Sequence, residues 1–275
     1  TTLVPPKIRK QARNIFDEII SEFLQEVAAE NLEQGFELSR EEKKEAERLI
    51  YGTDEKEIVI KKFNVDLLGK DMHTLQDGVW LNDEVINFHI KMFQDRMLDY
   101  QKSPTVPSAE KVRCLFFNTF FYSKLTQKGK GYKYKGVRRW SKKQKLEVHP
   151  SSIDKVIVPV NVHGTHWCLA VINFQKKRFE YFDSLGSKNI RCLENLRQYV
   201  IDEMKHYRNE VVDLSDWTNY FPKDIPQQNN GCDCGVFTTQ FANYASLNRK
   251  FDFSQENMSY FRRKMAIDIA RGSIT

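Results

Sequence analysis

The 275-residue sequence has no run of apolar residues approaching the ~20 that a membrane-spanning helix requires. Its N-terminal stretch carries Lys7, Arg9 and Lys10 with no apolar segment behind them, so it does not read as a secretory leader. Membrane insertion and secretion are not expected. Cysteine is sparse and odd in number: Cys114, Cys168, Cys192, Cys232 and Cys234 are scattered over a large chain, the pattern of free thiols in a reducing compartment rather than of a disulfide framework. No internal repeat and no low-complexity segment are present, which leaves ordinary globular architecture. An initial methionine is also missing; a chain opening at Thr1 reads as an excised piece whose targeting signals lie elsewhere.

What is there is a 40% apolar content, enough for a substantial core in one large domain or two small ones, and a modest net charge of +6. That charge is unevenly spread. Lys124, Lys128, Lys130, Lys133, Lys135, Arg138, Arg139, Lys142, Lys143 and Lys145 fall in one segment, with Tyr132, Tyr134 and Trp140 among them. Cations interleaved with aromatics suit nucleic acid or an acidic protein face, and equally a solvated loop.

Between Arg13 and Glu33, Phe16, Ile19, Ile20, Phe23, Leu24 and Val27 recur at three- and four-residue spacing, the pattern of an amphipathic helix. A second helix is expected from Arg40 to about Leu49. The first 39 residues thus read as a helical extension and residues 40–275 as the main domain. From Ile58 the pattern changes to short apolar runs. Asn82 is a plausible N-cap, followed by Asp83 and Glu84 where the helix dipole favours negative charge. Strands are expected over Arg113–Tyr122, Lys155–Val160, Trp167–Phe174 and Arg178–Phe182, and helices from Ile190 to about Tyr207, from near Cys234, and after Ser254. Strands flanked by helices at both ends of the chain indicate an α+β fold.

The chemistry concentrates in two places. Gln227-Gln228-Asn229-Asn230-Gly231-Cys232-Asp233-Cys234-Gly235 is a polar turn running into a helical pattern, which sets Cys234 at a helix N-terminus. Unpaired N–H groups there stabilise a thiolate and can hold an oxyanion, and Gly235 would let a backbone come close. The plainer reading is a small buried hydrophobe opening a helix. The second place is a predicted hairpin whose turn falls near Gln175-Lys176. Cross-strand partners there have position numbers totalling about 351, which makes His166 and Asp183 near neighbours. A carboxylate beside His166 would fix its tautomer and stabilise its imidazolium; a surface histidine and a turn-capping aspartate fit the same pattern. His163 is a rival base, but at three residues' distance it points to the other face of an extended chain.

His166-Trp167, Asp183-Ser184, Pro226-Gln227-Gln228 and Gly231-x-Asp233-Cys234-Gly235 resemble the Ulp/SENP family of SUMO-specific cysteine proteases. So do Trp80 to Phe88, Asn118-Thr119-Phe120-Phe121, Arg139-Trp140-Ser141-Lys142-Lys143, Phe253-Ser254-Gln255 and Phe261 to Met265, in the family's order, over about residues 40 to 270. The resemblance implies a papain-like cysteine protease fold with a central mixed sheet flanked by helices. It implies Cys234 as nucleophile, His166 as general base, Asp183 as its orienter and the Gln228 amide as an oxyanion donor. Trp80 and Trp167 match the pair that clamps the modifier's diglycine tail, a slot that excludes side chains, although either alone would read as core. Asp83, Phe120 and Arg139 match modifier-contacting positions.

The implied function is cleavage after the C-terminal diglycine of SUMO, removing it from target lysines and maturing its precursors, or the same reaction on another ubiquitin-like modifier. The implied setting is a nuclear monomer, at the nuclear envelope or partly in the cytoplasm, acting on SUMO and SUMO conjugates, with no cofactor or metal and no obligatory nucleic acid. Two departures stand out: Cys232 where the family commonly has serine, and one extra residue around His163. A metal module built from Cys232, Cys234, His163 and His166 is the rival from another class, weakened by its Cys-x-Cys spacing.

Overall fold

A computed structural model describes residues 35–106, 111–144 and 146–274. The helix expected over residues 13–33 and Lys145 of the basic segment lie outside these. The chain divides into two compact units, residues 1–39 and 40–275. The sheet, the helices packed on it and the candidate site all belong to the second. No helix among the described residues is long and apolar enough to cross a membrane.

Helix α1 (Arg40–Tyr51) buries Ala46, Leu49 and Ile50 on one face. A hairpin of β1 (Ile58–Lys62) and β2 (Val65–Leu68) follows, and then α2 (Asp83–Lys102). Asn82 caps α2 as expected: its side-chain oxygen accepts from the Val85 N–H at 3.0 Å, and its amide donates to Asp71 at 2.9 Å.

The central sheet has five strands in the order β3 (Cys114–Phe116), β4 (Lys155–Val162), β5 (His166–Asn173), β6 (Arg178–Phe182), β7 (Thr218–Tyr220). The inner pairs β4/β5 and β5/β6 are antiparallel and the outer pairs β3/β4 and β6/β7 parallel, so the sheet is mixed. Central strands covered on both faces read as unbroken apolar runs rather than alternating ones, as Val156 to Val160 and Cys168 to Ile172 do. One face, with Val156, Val158, Val160, Cys168, Ala170, Ile172, Phe179 and Tyr181, packs on Leu193, Leu196, Tyr199 and Val200 of α5 (Ile190–Arg208). The opposite face carries α6 (Cys234–Ser246), which packs on β4 and β5. Helix α7 (Met258–Arg271) closes the chain.

One expectation fails here. The run from Arg113 to Tyr122 is a strand only over Cys114–Phe116; Phe120–Leu125 is a helix, α3. Asn118 ends the strand by accepting the Phe120 N–H at 3.1 Å, and Asn87 on α2 takes the Thr119 N–H at 2.9 Å. Turn chemistry of this kind overrides the β propensity of the phenylalanines. Phe121 then stacks on Phe117 at 3.8 Å between ring centroids. The three-residue strand β7, whose residues are all exposed, has no apolar pattern and was not anticipated.

The aromatics of the basic segment face inward. Trp140, on the short helix α4 (Trp140–Lys143), sets its edge on Phe121 at 5.6 Å, and Tyr132 and Tyr134 each donate to a carboxylate of α5, Asp202 and Glu203, at 2.6 Å. Lys124, Lys128, Lys130, Lys133, Lys135, Arg139, Lys142 and Lys143 stay exposed. Base-stacking platforms of the kind that grip single-stranded nucleic acid are therefore not built from these rings.

Candidate active site

Cys234 is the first residue of α6 and is 3% exposed. The first N–H groups of a helix have no intrahelical partner, and the dipole is positive there, so the sulfur sits where negative charge is stabilised. Gly235 has a different role from the one expected. A Cβ at Gly235 would meet Leu81 Cβ at 2.9 Å, so the glycine lets the segment entering α2 lie against α6.

His166 opens β5, immediately after a loop of three residues joining it to β4, whose register pairs Val162 with His166. His163 and Gly164 take left-handed conformations in that loop (φ 55° and 79°), and His163 is exposed at its tip, away from the base's position. The extra residue is thus absorbed as a turn. His166 Nε2 lies 2.7 Å from Asp183 Oδ1, and the thiols of Cys168 and Cys234 are close enough to bear on the ring's protonation. The hydrogen bond to Asp183, then the thiols of Cys168 and Cys234, push the His166 pKa up to about 12. Asp183 is buried, which by itself raises a carboxyl pKa, but the bonds from His166 and from the Leu185 N–H (2.8 Å) more than offset this and hold it below the ordinary range. The pair is built to carry a proton on His166.

The register sharpens the hairpin arithmetic. Observed β5/β6 pairs, from Leu169 and Phe182 to Asn173 and Arg178, all total 351. By that register the position opposite Asp183 is Cys168, and His166 is its diagonal neighbour. A ring nitrogen of His166, the Cys168 sulfur and an Asp183 oxygen all lie within 4.8 Å of one another. Cys168 is 1% exposed, and burial raises its pKa, so it stands behind the pair as a protonated thiol that can donate to Asp183. Sequence reasoning passed over it, although the sum points to it. These three side chains are the described residues able to hold a metal together; the rival set with Cys232, Cys234 and His163 does not form such a group.

Gln228 is anchored beside the pair. Its N–H donates to the Ser184 carbonyl (2.9 Å), its side-chain oxygen accepts from the Ser184 hydroxyl (2.5 Å), and its amide nitrogen donates to the Asn230 carbonyl (2.6 Å). One amide hydrogen is thereby used, which leaves the second to serve an oxyanion. Trp80 is 50% exposed, so it is not a core residue; its indole donates to the Gly231 carbonyl at 2.8 Å, three residues before Cys234. Trp167 is 7% exposed, directly after His166.

The remaining predicted residues lie outside this cluster. Asp83 opens α2, and Phe120, 44% exposed, lines a cavity of about 210 Å³ with Phe63, Glu84, Phe88 and Trp140. Arg139 lines a separate open pocket with Arg138, Lys142, Lys143, His206 and Tyr207.

With this geometry in view, known proteins provide a comparison. The Ulp1 protease family, C-terminal catalytic domain, matches residues 79–273. Ubiquitin-like-specific protease 1A of Arabidopsis thaliana is 36% identical over 233 residues, 84% of this chain and 45% of that protein. Human Sentrin-specific protease 2 is 37% identical over 236 residues, 85% of this chain and 37% of its own length. The chain thus spans less than half the length of these curated relatives. The solved C-terminal Ulp1 protease domain in complex with Smt3, the yeast ortholog of SUMO, superposes with a TM-score of 0.71 at 29% identity, covering 87% of this chain and 98% of that one. Fold, ordered motifs and these matches agree, and the chain belongs to the Ulp1 protease family through its C-terminal catalytic domain.

Proposed function

We propose that this chain cleaves after the C-terminal diglycine of SUMO, releasing it from target lysines and trimming its precursors. The observation that carries the reading is His166 paired with Asp183 at 2.7 Å, its pKa raised in part by the Cys234 thiol at the start of α6, with Trp80 tied to the loop just before that cysteine.

In this reaction the Cys234 thiolate attacks the terminal glycine carbonyl carbon. The oxyanion is held by the Cys234 backbone N–H and the Gln228 amide. Collapse breaks the C–N bond, and the imidazolium of His166 gives its proton to the departing amine. Water then gives one proton to His166 as its oxygen attacks the thioester carbonyl; collapse breaks the C–S bond, the modifier's carboxylic acid leaves and loses its proton to solvent, and the Cys234 thiolate is left opposite the His166 imidazolium. Asp183 orients the ring through both steps. Trp80 and Trp167 form the slot for the glycine tail, with Asp83, Phe120 and Arg139 in contact with the modifier's body. The Smt3-bound relative supports SUMO as that modifier, and a monomer in the nucleus is the setting this reading assumes.

The test is reaction with a SUMO whose C-terminus carries an electrophile, beside the same probe on other ubiquitin-like modifiers, followed by mapping of the adduct. The expected label is on Cys234 and strongest with SUMO. A label on Cys232 would overturn the mechanism, and preference for another modifier would reassign the substrate. Cys234→Ser is expected to abolish turnover while sparing binding.

A further inference from the structure

Asp233 stands at the N-cap position of α6 yet makes no capping bond to it. An aspartate there ordinarily accepts from the N–H groups of the first turn, the same groups that Cys234 and an oxyanion need. Its carboxylate is drawn away instead. Oδ1 accepts from Arg262 Nε at 3.0 Å and Nη2 at 2.6 Å, and Oδ2 accepts from Asn230 and Gln255, each at 2.7 Å.

Arg262, on α7, is 1% exposed. Besides Asp233 its guanidinium donates to the carbonyls of Thr74 (3.2 Å), Gln76 (2.9 Å), Val79 (2.9 Å) and Cys232 (3.3 Å). Three of these lie on the segment that runs into Trp80 and the fourth on the loop that runs into Cys234. The Trp80 indole closes the same two segments from the outside through Gly231. A buried cation with a single anionic partner and four carbonyls is costly to desolvate, and its geometry leaves no donor idle.

We infer that Arg262 is a positioning residue that keeps Asp233 from capping the nucleophile's helix, offsets its charge beside Cys234, and fixes the Trp80 segment to the nucleophile loop. The inference rests on the assignment of Cys234 and Trp80 above. Two effects follow, and they separate. The electrostatic one acts on the Cys234 thiolate; the geometric one acts on tail binding.

The electrostatic effect is read by the pH dependence of Cys234 alkylation with iodoacetamide, which needs no modifier and therefore tests Arg262 even if SUMO is not the substrate. The geometric effect is read by KM on a fluorogenic SUMO C-terminal amide. Arg262→Lys keeps a positive charge but cannot reach all five acceptors, so the alkylation midpoint stays while KM rises about tenfold. In Arg262→Gln the midpoint also moves up by about one pH unit, because Asp233, the residue immediately before Cys234, is left uncompensated. Adding Asp233→Asn to Arg262→Gln restores the midpoint and leaves KM high. Asp233→Asn alone, which leaves Arg262 in place, moves the midpoint down and reads the charge effect even if Arg262→Gln does not fold. A midpoint unchanged in Asp233→Asn, or a folded Arg262→Lys with wild-type KM, overturns the corresponding half of the inference.

Discussion

Asp183 holds His166 through one oxygen, Oδ1, which also takes the Leu185 N–H, while the Cys168 thiol stands behind. Asp183→Asn keeps the shape but removes the charge that raises His166. Activity is expected to fall by about 10³-fold, and the basic limb of kcat/KM to move to lower pH, since a neutral amide no longer holds the imidazolium. Stability follows the same signs. The depressed Asp183 stabilises the fold above its unfolded value of ~3.9 and ceases to as pH falls through its folded value; the raised His166 stabilises fully below ~6.5 and progressively less as pH climbs towards its folded value. The Tm difference between wild type and Asp183→Asn, measured by calorimetry, is therefore expected to be largest between about pH 4 and 6.5 and to shrink on both sides. Cys168→Ala removes the thiol behind the pair. Tm is expected to fall by the few degrees that a loss of about 1 kcal/mol produces, with kcat reduced several-fold and KM unchanged.

At the scale of elements, the site is assembled where the start of α6, the start of β5 and the end of β6 meet. Helix α6 can come that close to the segment before α2 only because position 235 has no side chain. Gly235→Ala drives a methyl into Leu81, a cost of about 1–3 kcal/mol by overpacking, visible as a lower midpoint in urea unfolding. Adding Leu81→Ala makes room, so the double variant is expected to lose less than the sum of the two single changes. The hairpin that brings His166 to Asp183 was legible from the sequence because turn and strand lengths fix the register. The end of β3 was not, because Asn118 and Asn87 terminate it through hydrogen bonds, one of them from a helix remote in sequence.

Across the whole molecule, cations at 138, 139, 142 and 143 line one open pocket while the rings between and around them are turned into the core. Under the proposed function this surface meets an acidic face of the modifier through Arg139. Arg139→Glu is expected to raise KM for a SUMO substrate about tenfold with kcat nearly unchanged, and the penalty is expected to shrink as salt rises, because exposed charges are screened. Steady-state kinetics at two ionic strengths reads both effects. The sequence by itself determined the α+β class, the paired strands β5 and β6, the helix beginning at Cys234 and the identity of the catalytic candidates, since each rests on local periodicity, turn chemistry or ordered motifs. Cys168 was within reach of the same pairing sum; only the tertiary structure decided that Gly235 answers to Leu81 and that Arg262 reaches across from α7 to hold Asp233 and the Trp80 segment. Such contacts join residues from about 30 to more than 180 positions apart, a separation no local pattern encodes.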